Sequence, residues 1–290
     1  MGVFDGVHLG HQSIFKKVVQ RARSLRGTPV VYTFDPHPVK ILAPHAAPPM
    51  INTLEQRVEL IHHQGIKTVV VEKFTKSYSH QTPEAFFKNI ILKRLRPCAI
   101  LVGYNFTFGV HRSGNTDLLK KFCEKAGITI TIIQPYFKGE ILVSSTQVRQ
   151  CIAKANLAKA SELLNRPYFI EGKVVRGRGV GGRELGIQTA NITPENDSIL
   201  PSGVYVTWTR IGSHFFESVT NIGQHPTFGA GPTTIETHLF NFNKNIVGKK
   251  LRVSFLMKIR EEKKFPSPKA LATQIKKDIQ FTKRYFRTHP

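Results

Sequence analysis

The chain has 290 residues, 40% of them hydrophobic, which predicts two folded domains and argues against intrinsic disorder. With 42 Lys and Arg residues against 19 Asp and Glu, the formal charge is +23, so anionic partners such as nucleotides are expected. The charge is diffuse, because residues 1–150 carry 20 basic and 9 acidic side chains and residues 151–290 carry 22 and 10.

Cysteine usage and hydropathy predict a cytoplasmic protein. Cys98, Cys123 and Cys151 are odd in number and lack CxxC spacing, which supports neither a disulfide framework nor a zinc cluster. No stretch approaches the roughly 20 apolar residues of a membrane span, and no signal region opens the sequence. We therefore expect no membrane partner.

The first half alternates β-branched runs with amphipathic segments, which is typical of βαβ units around a largely parallel sheet. The predicted strands are 30–34, 68–71, 100–102 and 128–133. Helical faces are predicted from the spacing of Ile14, Val18, Ala22 and Leu25, and of Leu54, Val58 and Ile61. Helix starts are predicted at a Thr53–Gln56 capping box and at Thr82 before Pro83.

A glycine-rich turn, GVFDGVHLGHQ at 2–12, leads directly into the first predicted helix. Such a turn brings backbone close to a phosphate, and the helix N-terminus presents N–H groups and a positive dipole. His8 and His11, with Gly10 between them, can reach one phosphate and donate to charge that develops as pyrophosphate leaves. A lone histidine there would indicate a surface or capping residue, but this spacing favours phosphate binding.

Hydroxyl side chains and an arginine gather where a later helix, predicted over 145–153, begins. Ser144, Ser145 and Thr146 lie at its start, and Arg149 follows one turn later. Helix capping explains the hydroxyls equally well, and a solvated face explains the arginine. Together they also suit a triphosphate, with a guanidinium that clamps the β and γ phosphates.

A second helix is predicted over 156–164. The hydrophobic pattern changes after it, and we place the domain boundary between residues 165 and 166. Strand-period alternation beyond it predicts a compact antiparallel sheet or barrel. The predicted strands are 170–175, 204–209, 215–220, 236–242 and 251–257. A final helix is predicted from Ser267 and Pro268 to about Phe286, with packing positions at Leu271, Ile275, Ile279 and Tyr285.

A second glycine-rich segment, RGRGVGGRELG at 176–186, is either a flexible linker or a phosphate cradle. Thr189 and Asn191 follow it, and their side-chain oxygens are hard ligands that suit Mg²⁺. Glu236 opens a strand pattern, where a carboxylate could accept the proton of a substrate hydroxyl that attacks a γ-phosphate. Without further context, each of these is a loop or exposed strand residue.

These motifs resemble the prokaryotic bifunctional riboflavin kinase/FAD synthetase family over essentially the whole chain. In the first half the resemblance rests on residues 2–12, TFDPHP at 33–38, VGYNFTFG at 102–109 and VSSTQVR at 143–149. In the second half it rests on GRELGIQTANI at 182–192, NIGQHPTFG at 221–229, ETHLFNF at 236–242 and an RxExxF element formed by Arg260, Glu262 and Phe265.

The resemblance implies a Rossmann-like α/β FMN adenylyltransferase domain over 1–165, and a small antiparallel β-barrel riboflavin kinase domain with a C-terminal helix over 166–290. It implies riboflavin, FMN and ATP as substrates and Mg²⁺ as cofactor. In the first domain, the residues implied to contact ATP phosphates are His8, His11, Ser145, Thr146 and Arg149. Asn105, Phe106 and Phe108 are implied to help hold the flavin, with core packing as the alternative for both phenylalanines.

In the second domain the resemblance implies Glu236 as the catalytic base, and Thr189 and Asn191 as contacts to metal and ATP. Arg260 is implied to lie near the flavin. The other implied substrate or nucleotide contacts are Phe4, Asp5, Gly6, Gly10, Ser144, Gly177 and Gly186.

Three departures from the family carry consequences. Relatives have a leading strand that runs into the GxFDG turn, so the first domain is expected to lack its first strand. Gln188 replaces the proline of the family's PTAN motif, which should loosen the placement of Thr189 and Asn191. Asn241 stands where many members have aspartate, which removes a negative charge.

Two alternative functions remain open at this stage. Either only one domain is active, or the charge of +23 serves nucleic-acid binding. No specific nucleic-acid partner is expected, because the basic residues are spread evenly and no helix-turn-helix, zinc-finger or RNP motif occurs. A homo-oligomer is left open.

Overall fold

The computed structural model describes residues 1–176, 188–197, 200–223 and 234–289. The chain divides into two compact units, Met1–Ser145 and Thr146–Pro290. The first is α/β and the second is a β-barrel with helices, which confirms the predicted fold class. The domain boundary at residue 165 stays a prediction.

The first unit alternates helices with short strands. Its main elements are α1 (Leu9–Ser24), β1 (Val30–Asp35), α2 (Pro38–Leu42), α3 (Leu54–His62), β2 (Thr68–Lys73), α4 (Lys76–Ser79), α5 (Pro83–Phe86), β3 (Ala99–Gly103), α6 (Thr116–Lys125), β4 (Thr129–Ile133), β5 (Phe137–Lys138) and β6 (Ile141–Leu142). Helix α5 continues as a π-helical segment, Phe87–Leu95. The predicted capping box and the Thr82 cap are both present.

Parallel pairing in this unit is confined to two strand pairs within the described residues. Strand β1 pairs with β2, and β3 pairs with β4. The first residues of the glycine-rich turn run beside β1, because Gly2 N donates to Tyr32 O at 3.0 Å and Thr33 Oγ1 donates to Val3 O at 3.1 Å. An apolar cavity of about 330 Å³ is lined by α1, β1, β3 and the π-helical segment.

The second unit is built around a closed six-stranded barrel. Its elements are α7 (Ser145–Ala153), α8 (Leu157–Leu164), β7 (Tyr168–Val175), β8 (Ala190–Pro194), β9 (Gly203–Ile211), β10 (His214–Gly223), β11 (Thr234–Leu239), β12 (Lys250–Arg260) and α9 (Pro268–Thr288). The strands are antiparallel in the order β10-β11-β8-β7-β12-β9. Strand β11 ends at Leu239, short of the predicted Phe242, where Asn241 adopts a φ of +55° that turns the chain.

A hydroxyl cluster fills part of the barrel interior. Its members are Thr207, Thr209, Ser218, Thr220 and Thr237, all of which are fully buried. They satisfy one another, for example through distances of 2.8 Å from Thr207 Oγ1 to both Ser218 Oγ and Thr220 Oγ1. Because each buried hydroxyl has a partner, the cluster ties β9, β10 and β11 together without a desolvation penalty from unsatisfied groups.

Helix α9 packs on the barrel through a face that the spacing of its apolar residues did not predict. The residues it buries are Asp278, Thr282 and Phe286, whereas the predicted packing positions Leu271, Ile275, Ile279 and Tyr285 are half-buried. The Asp278 carboxylate accepts two hydrogen bonds from Arg260 Nε, each at 3.1 Å, and a third from Nη2 at 2.8 Å. A paired charge can therefore occupy the centre of the buried face.

Among the described residues, none of the helices combines the length and apolar character needed to cross a bilayer.

The Arg260–Asp278 pair should account for much of the docking of α9. We expect Asp278→Ala to lower the free energy of unfolding by about 3–5 kcal/mol, because it leaves a largely buried guanidinium without its counter-ion. Urea unfolding followed by the fluorescence of Trp208 measures this, since Trp208 is the one tryptophan in the sequence and packs 4.9 Å from Phe286.

A second ion pair close by is the matched control. Lys258 and Glu261 pair at 2.7 Å, but Glu261 is exposed, so Glu261→Ala should cost no more than about 1 kcal/mol. Equal losses in the two variants would contradict the role given to the buried pair.

Candidate functional sites

The glycine-rich turn at the start of the chain is held in an unusual backbone conformation. Phe4, Gly6 and Val7 have φ values of +58°, +81° and +41°. Only glycine adopts this left-handed region without cost, so Phe4 and Val7 are strained and must be held by their surroundings. The rings of His11 and Phe15 pack against Phe4 at centroid distances of 5.2 and 4.9 Å, and Phe4 is buried.

Asp5 fastens the turn to the segment before α3. Its carboxylate is 2% exposed and accepts hydrogen bonds from the backbone N–H groups of Ile51 and Asn52 at 3.1–3.2 Å. Asn52 Nδ2 in turn donates to Gln56 Oε1 at 3.2 Å. Asp5, predicted to contact nucleotide or substrate, thus has an observed structural contact with this loop.

Arg57 is the most buried cation of the first unit's described core, with 1% exposure. Its Nη1 donates to Val3 O at 2.9 Å and its Nη2 donates to Phe34 O at 2.8 Å. Burial lowers the pKa of Arg57, while the carboxylates of Asp5 and Asp35 oppose that shift. An arginine remains protonated in proteins, so a fixed positive charge lies between β1 and the glycine-rich turn.

The two histidines of the turn form a stacked pair. Their ring centroids are 3.6 Å apart and their planes differ by 22°. Burial, followed by the charges of His8 and Arg57, holds the pKa of His11 well below its usual value, so His11 is neutral near pH 7. Its buried Nδ1 atom has no hydrogen-bond partner among the described residues.

Gly10 and Ser145 complete the surroundings of this pair. A Cβ atom at Gly10 would lie 3.2 Å from two atoms of the His8 ring, so a larger residue would require the ring to shift by a few tenths of an ångström. Ser145, the last residue of the first unit, donates from its Oγ to Asp5 O at 2.8 Å. The structure therefore brings together Phe4, Asp5, Gly6, His8, Gly10, His11 and Ser145.

The remaining predicted phosphate contacts lie at the start of α7. Ser144 directly precedes the helix, Thr146 is exposed in its first turn, and Arg149 is half-buried one turn on. Helix α1 starts directly after His8, with no acidic residue in its first turn and two arginines in its last turn. Its N-terminus therefore favours an anion.

The predicted flavin segment divides into exposed and packed residues. Asn105 is exposed in the loop after β3. The Phe106 and Phe108 rings stack with centroids 5.8 Å apart, and Phe108 is buried against Phe86 in the core of the unit. Phe108 is therefore a core residue, which was the alternative interpretation for both phenylalanines. Phe106 is half-buried and keeps part of its surface exposed.

Strand register places the predicted kinase residues side by side. Glu236 on β11 pairs with Asn191 on β8 and, on its other side, with Asn221 on β10. All three are half-buried, whereas neighbours such as Ile235 and Ile192 are buried, so the three polar residues share the outer face. Thr189 is exposed, two residues before Asn191.

His238 holds the residue that replaces the expected proline. Its Nδ1 lies 2.7 Å from Gln188 O, and because a carbonyl only accepts, the ring donates. His238 lies two residues beyond Glu236 on the same face of β11. Gln188 was expected to loosen this segment, but a side-chain hydrogen bond from β11 holds it in place.

Arg260, which was predicted to lie near the flavin, makes several contacts within the protein itself. Besides Asp278, its Nη1 donates to Glu261 O at 3.0 Å, and its guanidinium lies 5.7 Å from the Phe265 ring centroid. Glu262 Oε1 lies 2.7 Å from the point where a Cβ of Gly223 would be. The glycine therefore lets this carboxylate approach the end of β10.

Gly177 and Gly186 lie outside the described residues, as do most of the 176–186 segment and residues 224–229 of the NIGQHPTFG motif. Among the described residues, no group of three or more His, Cys, Asp or Glu side chains could hold a metal ion. The hydroxyl and amide oxygens of Thr189 and Asn191, beside the Glu236 carboxylate, are nevertheless the hard donors that suit Mg²⁺.

Comparison with known proteins covers both units. Models of the families described as FAD synthetase and riboflavin kinase match residues 1–147 and 164–286. A bifunctional riboflavin kinase/FMN adenylyltransferase from Buchnera aphidicola subsp. Schizaphis graminum is 35% identical over 99% of this chain and 93% of its own. The relative of the same name from Bacillus subtilis is 33% identical over 99% and 91%. The chain belongs to the bifunctional riboflavin kinase/FMN adenylyltransferase family.

A solved structure extends this family likeness to the fold. The crystal structure described as a macrolide-efflux protein from Streptococcus pneumoniae has a TM-score of 0.87 and 28% sequence identity, and covers 98% of this chain and 92% of its own. The resemblance drawn from the sequence motifs is thus confirmed at the level of family and fold.

Arg57 and His238 are contributors that the sequence interpretation missed. The role of Arg57 could have been predicted from the sequence, because it lies on the helical face defined by Leu54, Val58 and Ile61. A charged residue on a buried face needs buried hydrogen-bond partners. The role of His238 could not, since its carbonyl partner at Gln188 is 50 residues away in sequence.

The half-buried His11, whose Nδ1 atom is buried, makes folding stability depend on pH. The unfolded chain binds a proton at this residue below about pH 6.5, whereas the folded chain does not until its lower pKa is reached. Stability from this residue is therefore complete above about pH 6.5 and falls as the pH is lowered, by up to about 1.4 kcal/mol per pH unit.

We expect His11→Gln to flatten this dependence when the free energy of unfolding is measured by urea titration at a series of pH values. His63→Gln, at an exposed histidine, is the control and should keep the slope of the original chain. A slope that His11→Gln leaves unchanged would contradict the lowered pKa of His11 in the folded chain.

Proposed function

We propose that the chain makes flavin cofactors in two ATP-dependent steps. The barrel phosphorylates riboflavin to FMN, and the α/β unit joins FMN to AMP to give FAD. The observation that carries the first unit's part is the stacked His8–His11 pair at the N-terminus of α1. For the barrel it is the register that sets Glu236 beside Asn191.

In the adenylyl transfer step, an FMN phosphate oxygen attacks the α-phosphorus of ATP, the bond to the β-phosphate oxygen breaks, and pyrophosphate leaves. The attacking phosphate is already ionised near pH 7, so the protein supplies no nucleophile and no strong base. Its contribution is positioning and charge stabilisation. His8 and His11 donate N–H hydrogen bonds to phosphate oxygens, and His11 does so as a neutral ring, while the dipole of α1 favours the anion.

Arg57 and Asp5 act on this step through the backbone. Arg57 binds the carbonyls of Val3 and Phe34, and Asp5 binds the amides before α3, so together they fix the strained turn that carries both histidines. The Ser145 hydroxyl donates a further hydrogen bond to the same turn. Asn105 and Phe106 offer the exposed or half-buried surface for the flavin.

In the kinase step, the terminal ribityl hydroxyl of riboflavin attacks the γ-phosphorus of ATP, and ADP leaves. Glu236 accepts the hydroxyl proton, and Asn191 on the next strand and Thr189 just before that strand would bind phosphate oxygens and Mg²⁺. The ion, when bound, neutralises charge on the transferring phosphoryl group. His238 keeps the 188–191 segment in place by its bond to Gln188 O.

The two steps can be separated by one-residue changes. The full chain is incubated with ATP, Mg²⁺ and either riboflavin or FMN, and the flavins are resolved by chromatography. We expect His11→Ala to lower FAD formation about 10²–10³-fold and to spare FMN formation. We expect Glu236→Gln to lower FMN formation about 10²–10⁴-fold and to spare FAD formation from supplied FMN.

Matched controls are His63→Ala and Glu217→Gln, which lie outside both sites and should leave both products unchanged. FMN without FAD from the original chain would overturn the adenylyltransferase assignment. FAD from FMN with riboflavin untouched would overturn the kinase assignment, and the chain would then retain a single activity.

The Gln188–His238 bond gives a further prediction about the kinase. His238→Ala should raise the KM for ATP about 10-fold with little change in kcat, because it frees the segment carrying Thr189 and Asn191. Adding Gln188→Pro to that variant should recover part of the loss, since proline restricts the same backbone and keeps the carbonyl. Equal kinetics in His238→Ala and the original chain would contradict this positioning role.

A further inference from the structure

Helix α9 carries a line of cations that neither flavin site uses. The residues are Lys269, Lys276, Lys277, Lys283, Arg284 and Arg287, all of them exposed, and we call them the basic stripe. The one acidic residue of the helix, Asp278, is buried and paired with Arg260. The exposed face of α9 therefore carries positive charge alone.

Helical geometry gathers these cations on one side. At about 100° per residue they fall within an arc of about 120°, opposite the buried Asp278, Thr282 and Phe286, over a length of about 27 Å. Within the described ranges, none of the six forms an ion pair. Like charges three or four residues apart, such as Lys283, Arg284 and Arg287, repel one another, so an extended polyanion would relieve the repulsion.

An exposed aromatic ring lies beside the stripe. Phe281 is 41% exposed and stands four residues after Lys277 and three before Arg284, so both cations are its neighbours on the helix surface. An aromatic ring between cations is the arrangement that binds a single nucleic-acid strand, because a base stacks on the ring while phosphates pair with the charges.

Other anionic surfaces fit α9 less well. An amphipathic helix enters a bilayer through its apolar face. In α9 that face is already buried against the barrel, where Phe286 packs on Trp208. A protein partner would need several buried anchors, and Phe281 is the one large apolar side chain exposed on α9.

We propose that the basic stripe and Phe281 form a binding site for single-stranded nucleic acid, without sequence preference. This binding is an activity separate from flavin phosphorylation and adenylylation, so it stands even if the function assigned to either flavin site proves wrong.

The test measures binding of the full chain to a fluorescein-labelled single-stranded RNA of mixed sequence, about 20 nucleotides long, by fluorescence anisotropy across a series of salt concentrations. We expect log K to fall linearly with log salt. The variant K276Q/K277Q/K283Q/R284Q should reduce that slope by up to about 3, at about 0.7 for each lost phosphate contact. F281A should weaken binding about 5- to 100-fold without changing the slope.

The control K16Q/K17Q/K120Q/K121Q removes the same charge from exposed lysines of the first unit and should keep the original slope. The variant K276R/K277R/K283R keeps the charge and should bind as the original chain does. Both glutamine variants should keep the urea unfolding transition of the original chain, which shows that they fold.

Four outcomes would overturn the proposal. These are equal loss of slope in the two glutamine variants, no effect of F281A, no binding near physiological salt, or binding to vesicles of anionic phospholipid in place of RNA. The first would mean that diffuse charge attracts the RNA, and the second that no base stacks on α9.

Discussion

A buried guanidinium is the constraint on which the first unit depends. Arg57 joins the carbonyl of Val3, at the entrance to the glycine-rich turn, to that of Phe34, near the end of β1. The turn holds Phe4 and Val7 at positive φ, a conformation that persists only when surrounding contacts over-determine it. Arg57 and Asp5 provide those contacts, and they thereby fix the position of the histidine pair that the turn carries.

The barrel relies on the same kind of interaction for its helix. Asp278 occupies the centre of the buried face of α9 and binds Arg260 at the end of β12, so a charge pair fixes where the helix lies. Inside the barrel, the hydroxyl cluster adds a hydrogen-bonding requirement that apolar packing lacks. Both devices specify register and orientation, and the Glu236–Asn191 pairing depends on that register.

Sequence patterning predicted the elements whose cause is local. The capping box at Thr53, the four parallel strands and the period-2 strands of the barrel follow from propensity and alternation, and all are present. Polar contacts between residues distant in sequence were not predicted. A charged residue such as Asp278 is expected to face solvent until its partner, 18 residues earlier in the sequence, is known. The families' motifs supplied the candidate site residues, and the strand register then brought Glu236 and Asn191 together.

The charges around the histidine pair also determine how an anion is attracted there. His11 is neutral near pH 7 because desolvation and the charges of His8 and Arg57 lower its pKa, so it would add no charge of its own to the phosphate binding that we propose. The attraction comes instead from groups that do not titrate in this range, the buried guanidinium and the N-terminal dipole of α1. In the adenylyl transfer that we propose, the phosphate would therefore meet fixed positive potential and the N–H donor of neutral His11, an arrangement that needs no proton uptake and no reorganisation of charge during the reaction.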